Sequence, residues 1–299
     1  MTDSNKISAS QLFCVMLLCS LGGELVYPFL GGYSTEELLA IVVAAAIRLA
    51  AAFPIILYSF CKGSLYGEMY RKSKPLGWVA AITAAVLLIV YASVALANTA
   101  EFVERNMLTH QSEWLIIALI AAFAVFCAVS GAEGISRAAV IILVLLVVLI
   151  AAVVLTDIPH IDLDRAAPPE SSGGIWQSVI KRLLSGGEYL SFAVLLPYIS
   201  RKSSAAGKAA LFYALTYTLL GVGLYVFYSA VLGELYTLAE HPFIAAAQLA
   251  DAMLIKRMDG IACAMGALAA AVKCGVLIFC AAAVFRQLKA QQEDTEVSL

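Results

Sequence analysis

Leu18-Cys19-Ser20-Leu21-Gly22-Gly23-Glu24-Leu25-Val26 and Leu184-Ser185-Gly186-Gly187-Glu188-Tyr189-Leu190 carry the same interruption inside long apolar runs. The first lies in the run 12–30 and the second in the run 175–199, so the two open the two halves of the chain. A glycine costs a helix roughly 1 kcal/mol relative to alanine. An ionised carboxylate at the centre of a bilayer costs about 2.5–3.5 kcal/mol on insertion scales. Two such defects side by side, in matching places, mark interrupted helices that line a cavity. A second reading stands beside this one: the glycines only let neighbouring helices pack closely. Gly131-Ala132-Glu133 and Gly233-Glu234 repeat part of the pattern elsewhere, which weakens the tripeptide as a signal on its own.

The rest of the 299 residues agrees with a membrane setting. The chain is 62% hydrophobic and only 13% charged, with a mean hydropathy of +0.91, more apolar surface than a water-soluble core can use. Eight candidate spans follow, at roughly 9–30, 37–60, 76–99, 114–133, 137–156, 175–199, 209–233 and 260–285. Each is near the 20 or so residues that cross a bilayer. The segment 242–257 is amphipathic and too short to span, which places it at the surface. No cleavable signal precedes the first run.

Lys and Arg in the short loops set the orientation. Lys6, Lys62, Arg71, Lys72, Lys74, Arg137, Arg201, Lys202, Lys208, Arg286 and Lys289 gather on one side. Arg105, Arg165, Lys181, Arg182, Lys256 and Arg257 fall on the other, in longer or amphipathic segments. Both termini are therefore expected in the cytoplasm. The polar connection 157–174 is expected outside, dividing a first half at 1–156 from a second at 175–290, with a cytoplasmic tail at 291–299.

Five ionisable residues fall in or near the apolar core: Glu24, Arg48, Glu101, Glu188 and Lys273. Such groups face a bundle interior and pair with one another. Lys273 and Arg48 are too deep to reach the interface, so each is a coupling residue or half of a buried ion pair. Glu101 closes the third span and reads as a solvated interfacial carboxylate. Tyr27 and Tyr189 stand next to the two Gly-Gly-Glu sequences. Tyr198, Tyr213, Tyr217, Tyr225 and Tyr228 read mostly as packing or interface residues. The seven cysteines have no metal-ligand spacing, and His110, His160 and His241 are dispersed in loops. No catalytic or nucleotide-binding motif is present. The expectation is no enzyme, no metal and no cofactor.

Lys6-Ile7-Ser8-Ala9-Ser10-Gln11-Leu12-Phe13 leading into Leu21-Gly22-Gly23 and Pro28 resembles the start of the spore germination permeases. Ser130-Gly131-Ala132-Glu133-Gly134-Ile135-Ser136-Arg137, Leu196-Pro197-Tyr198, His241-Pro242 and Lys256-Arg257-Met258-Asp259-Gly260 continue the resemblance over almost the whole chain. These are the B subunits of nutrient-germinant receptors, within the amino acid–polyamine–organocation superfamily. The resemblance implies an all-α, leucine-transporter-like fold of two inverted five-helix repeats, broken in the first and sixth helices. The family has ten spans and eight are expected here, so the last two helices are missing and the second repeat has three.

By that analogy an amino acid or similar nutrient binds among Gly22, Gly23, Glu24, Tyr27, Gly186, Gly187, Glu188 and Tyr189. Its carboxylate meets free backbone N–H groups at Gly22-Gly23. Lys273 passes the first break, with Glu24 as its nearest anion. Implied partners are A- and C-type receptor subunits, in a cell or spore inner membrane. Two rivals stand: a proton- or cation-coupled amino-acid transporter, and a membrane scaffold that binds nothing.

Overall fold

The computed structural model describes residues 6–26, 35–62, 65–108, 111–162, 174–185, 187–199, 204–250 and 258–297. Helix dominates them. In chain order the helices are α1 (Ala9–Val26), α2 (Thr35–Lys62), α3 (Leu65–Lys72), α4 (Lys74–Asn106), α5 (Glu113–Val129), α6 (Gly131–Asp157), α7 (Ile175–Ser185), α8 (Glu188–Leu195), α9 (Ser204–Leu232), α10 (Pro242–Leu249) and α11 (Asp259–Val297). The eight expected spans correspond to α1, α2, α4, α5, α6, α7 with α8, α9 and α11. By length and apolarity α1, α4, α6, α9 and α11 each suffice to cross a bilayer, and α5 is a shorter apolar helix. Their outer faces are bare hydrocarbon: Trp114, Phe126, Val129 and Leu219 are all exposed. In water such faces are an aggregation liability, whereas lipid covers them without cost.

Local chemistry explains several boundaries. Ser8 and Gln11 form a reciprocal capping box at the start of α1. The Gln11 N–H donates to Ser8 Oγ at 3.2 Å and the Ser8 N–H donates to Gln11 Oε1 at 2.8 Å. The chain reverses between α5 and α6 at Gly131, whose φ of 78° suits a residue without Cβ. The expected edges at 133 and 137 therefore both move to this corner. Pro242 opens α10, where its missing N–H leaves no bond unmade.

The long helix α11 is the axis of the bundle, with α1, α4, α5, α6 and α8 packed around it. Its 39 residues reach about 58 Å at 1.5 Å each. It therefore runs well past a hydrocarbon layer of about 30 Å and into the stretch 291–297 expected as a tail. Small residues permit the central contacts. A side-chain carbon on Gly22 would come within 2.9 Å of the Ala269 carbonyl carbon, so α1 lies directly against α11.

Three expectations change here. The Gly22-Gly23 doublet does not interrupt a helix, since α1 continues through it to Val26. Gly22 serves contact with α11. The segment opened by Pro242 is not a surface strip: Pro242, Phe243, Ile244, Ala246 and Ala247 are buried, and α10 packs on α6, α9 and α11. Residues 251–257 lie outside the described residues. Asp157, expected in the polar connection, is the last residue of α6 and has no solvent exposure.

The second run is divided in two, with Gly187 in a turn. Helix α7 ends at Ser185 and α8 begins at Glu188. With 11 and 8 residues they reach about 16 and 12 Å, so neither crosses a bilayer alone. Gly187 stands where the Tyr91 ring of α4 leaves no room for a side chain.

Candidate functional site

The break leaves polar backbone inside the bundle, and helix ends need partners. Arg48, on α2, supplies one. Its guanidinium donates through Nη2 to the carbonyl of Arg182 in the last turn of α7. A cation there also complements the negative end of the helix dipole. Arg48 is 5% exposed. It lies 5.4 Å from the Tyr189 ring centre and 5.6 Å from that of Tyr217, a cation–π arrangement on both rings.

Two ion-pair centres flank this support. In the deeper one, Lys273 Nζ on α11 is 3.2 Å from Glu188 Oε2, the first residue of α8. Both are essentially buried, at 2% and 3% exposure. Ser20 of α1 donates its hydroxyl to Glu188 Oε1 at 2.9 Å. Tyr213 Oη of α9 is 2.6 Å from Ser20 Oγ. A serine hydroxyl has one proton, and Glu188 receives it, so Tyr213 is the donor to Ser20.

In the second centre, Arg182 of α7 stands between two carboxylates. Its Nε is 2.8 Å and its Nη2 2.6 Å from Glu37 Oε1 on α2. Its Nη1 is 3.2 and 3.3 Å from the two oxygens of Glu24 on α1. Tyr217 of α9 donates to Glu24 Oε1 at 2.5 Å and accepts from Arg48 Nη1 at 3.2 Å. Tyr213 and Tyr217, one turn apart on α9, stack with ring centres 6.1 Å apart. The tyrosines thus connect the two centres. Among the described residues, Glu24, Glu37 and Glu188 balance Arg48, Arg182 and Lys273, three charges against three. Charges in a medium of low polarity demand such neutrality.

A cavity of about 40 Å³ opens beside the second centre. Its wall includes Glu24, Arg182, Tyr217, Tyr225, Tyr228 and Phe243. A single water needs about 10–15 Å³ of such space, so the cavity takes a few waters in this conformation. Anything larger needs the wall to open.

The arrangement of the sequence-predicted residues is therefore partly as expected and partly not. Glu188 and Tyr189 sit at the break beside Lys273 and Arg48. Gly22 and Gly23 are buried within α1 and offer no free backbone. Tyr27 and Gly186 lie outside the described residues. Lys273 does not pair with Glu24; Glu188 takes that place, and Glu24 turns to Arg182. The reason is helical register. Ser20 is one turn before Glu24 on α1 and already lies level with Glu188, so Glu24 stands a turn away from Lys273. Glu101 is half-buried and paired with Arg105 at 2.6 Å, with its side chain 47% exposed, consistent with a solvated carboxylate.

The sequence pattern does not single out Glu37, Arg182, Ser20, Tyr213 and Tyr217 as site residues. Arg182 falls within the 175–199 run but reads with the Lys and Arg residues that set the orientation, not with the charges of the core. The one sequence signal for the tyrosines is their spacing of four, which puts both on a single helix face. Of the cysteines, Cys19, Cys127, Cys263, Cys274 and Cys280 are buried free thiols, as small packing residues should be. Among the described residues no group of His, Cys, Asp and Glu has a metal-binding arrangement.

An all-helical bundle with lipid-facing sides, a broken helix and a neutral charge network at its centre defines a polytopic membrane protein built around a buried polar site. The chain belongs to the spore germination protein family: the family model of that description matches residues 6–297, nearly its whole length. It is thus a germination-related, multi-pass membrane protein. No curated protein matches the chain.

Proposed function

We propose that this chain is the membrane subunit of a nutrient-germinant receptor and binds an amino acid or similar small nutrient in the cavity beside the helix break. The observation that carries the reading is the cavity wall, where a carboxylate (Glu24) and a guanidinium (Arg182) face the same space next to apolar and tyrosine side chains. Ligand pockets have this character: a mostly apolar lining with a few placed polar groups. The small volume fits a resting state that opens to admit the ligand. Binding then shifts the balance between closed and open forms, and it can do so only by favouring one of them. That shift is passed to A- and C-type partner subunits, in a cell or spore inner membrane with both termini cytoplasmic.

A thermal-shift panel of amino acids, sugars and nucleosides on the purified chain tests this. A ligand at 100 times its Kd stabilises the folded state by about 2.7 kcal/mol, so at least one compound is expected to raise the melting temperature. A flat panel contradicts the reading. The buried Lys273–Glu188 pair favours a second reading, a proton- or cation-coupled transporter, because ionisable side chains inside a membrane mark ion and proton pathways. Uptake of the stabilising compound into liposomes, driven by a proton gradient, distinguishes the two.

A further inference from the structure

We infer that Glu24 and Arg182 are the two poles of a zwitterion site, closed on each other until a ligand takes both. The inference rests on the nutrient-binding reading and assigns its charged contacts. Arg182 holds its two carboxylates unequally. Glu37 is the anchor: Nε and Nη2 meet one of its oxygens at 2.8 and 2.6 Å, and its side chain is 4% exposed. Glu24 is the loose partner. A single nitrogen, Nη1, is shared between both its oxygens at 3.2 and 3.3 Å; its side chain is 32% exposed, and it is one of the residues lining the cavity. Long, divided hydrogen bonds are weak ones. Arg182 can release Glu24 and keep its position through Glu37. Glu24 can leave Nη1 and stay on the wall through the Tyr217 hydroxyl at 2.5 Å.

The parted pair presents a guanidinium edge and a carboxylate to the cavity. A ligand carrying a carboxylate and an ammonium replaces one internal ion pair with two, and the site remains neutral. A ligand with only one of those charges leaves the site with a net charge in a low-dielectric space, which is costly. Charge balance therefore sets the selectivity. Neither pole uses the backbone of Gly22, which lies against α11, or of Gly23, which is buried within α1.

The test uses the full chain in detergent and the twenty L-amino acids as probes. The best stabiliser is then compared with its deaminated acid and its decarboxylated amine. Each analogue is expected to bind about 10- to 100-fold more weakly, the range for losing one charge-assisted contact. In Glu24→Gln the site gains a positive charge, so the order reverses and the acid binds more tightly than the amino acid. An acid or amine within a few-fold of the amino acid overturns the inference, as does an unchanged order in Glu24→Gln. The analogue comparison needs no variant and stands if Glu24→Gln fails to fold. If a sugar or nucleoside stabilises the protein and no amino acid does, the zwitterion site is wrong and nutrient binding survives. If nothing binds, both are wrong.

Discussion

Lys273 and Glu188 meet at 3.2 Å inside the bundle, each almost fully buried, and so tie the axial helix α11 to the first residue after the break in α7–α8. Removing one partner of such a pair leaves the other charge buried alone, at a cost of about 3–5 kcal/mol. Glu188→Gln and Lys273→Met should each lose that much stability. The double variant should recover most of it, because no charge is left stranded. A double-mutant cycle on denaturation in detergent checks this. Additive losses would mean that the two charges do not depend on each other.

Arg48 caps the carbonyl of Arg182 and lies over two tyrosine rings. Lysine keeps the charge but lacks the planar fork that does both at once. Arg48→Lys should therefore destabilise by about 1–3 kcal/mol. A melting temperature equal to wild type would show that the break does not depend on this side chain.

Two glycines make opposite predictions. At Gly22 an added methyl runs into Ala269, so Gly22→Ala should destabilise by about 1–3 kcal/mol through overpacking. At Gly223 on α9 nothing lies within 4 Å, so Gly223→Ala should stabilise by about 0.5–1 kcal/mol through helix propensity. Equal effects at the two positions would remove the close α1–α11 approach from the explanation.

How much of this was legible in the chain depends on the kind of contact. The spans announce themselves as apolar runs, and the break at Gly187 combines a glycine pair with a carboxylate no lipid would accept. The same signal at Gly22-Gly23 led to the wrong local structure. What distinguishes the doublets is the partner, Ala269 on α11 against Tyr91 on α4, and partners on other helices are not written in local pattern. The charges themselves were visible, but not their pairing. Choosing Glu188 over Glu24 for Lys273 requires the relative heights of three helices. Arg182 is not legible because, beside Lys181 in the sixth span, it reads as one of the charges that set the orientation. Only folding brings Glu24 from α1 and Glu37 from α2 to its two sides.

His241, outside the spans, makes a prediction about pH. Its ring stands edge-on to Phe102 with centres 4.8 Å apart, and its Nδ1 has no hydrogen-bond partner. Burial holds the imidazole below the usual histidine range. Arg105 pushes the same way, while Glu240 and Glu101 oppose it. An unfolded histidine titrates near 6.5, so between that value and the lower folded one the unfolded chain binds the extra proton. The stability from neutral His241 is complete above about 6.5 and is lost as pH falls through the folded value. In detergent, His241→Gln should lose less stability than wild type between pH 7.5 and 5. An identical acid loss in both would exclude His241 as the cause.

Equilibrium binding of the best-stabilising nutrient to Gly221→Trp tests the cavity most directly. Gly221 lines it, and even one carbon there would come within 3.2 Å of Ile41 Cγ2, so an indole fills the space. The variant, matched to wild type for melting temperature without ligand, is expected to lose binding by 100-fold or more. Wild-type affinity in the filled cavity would contradict nutrient binding at this site.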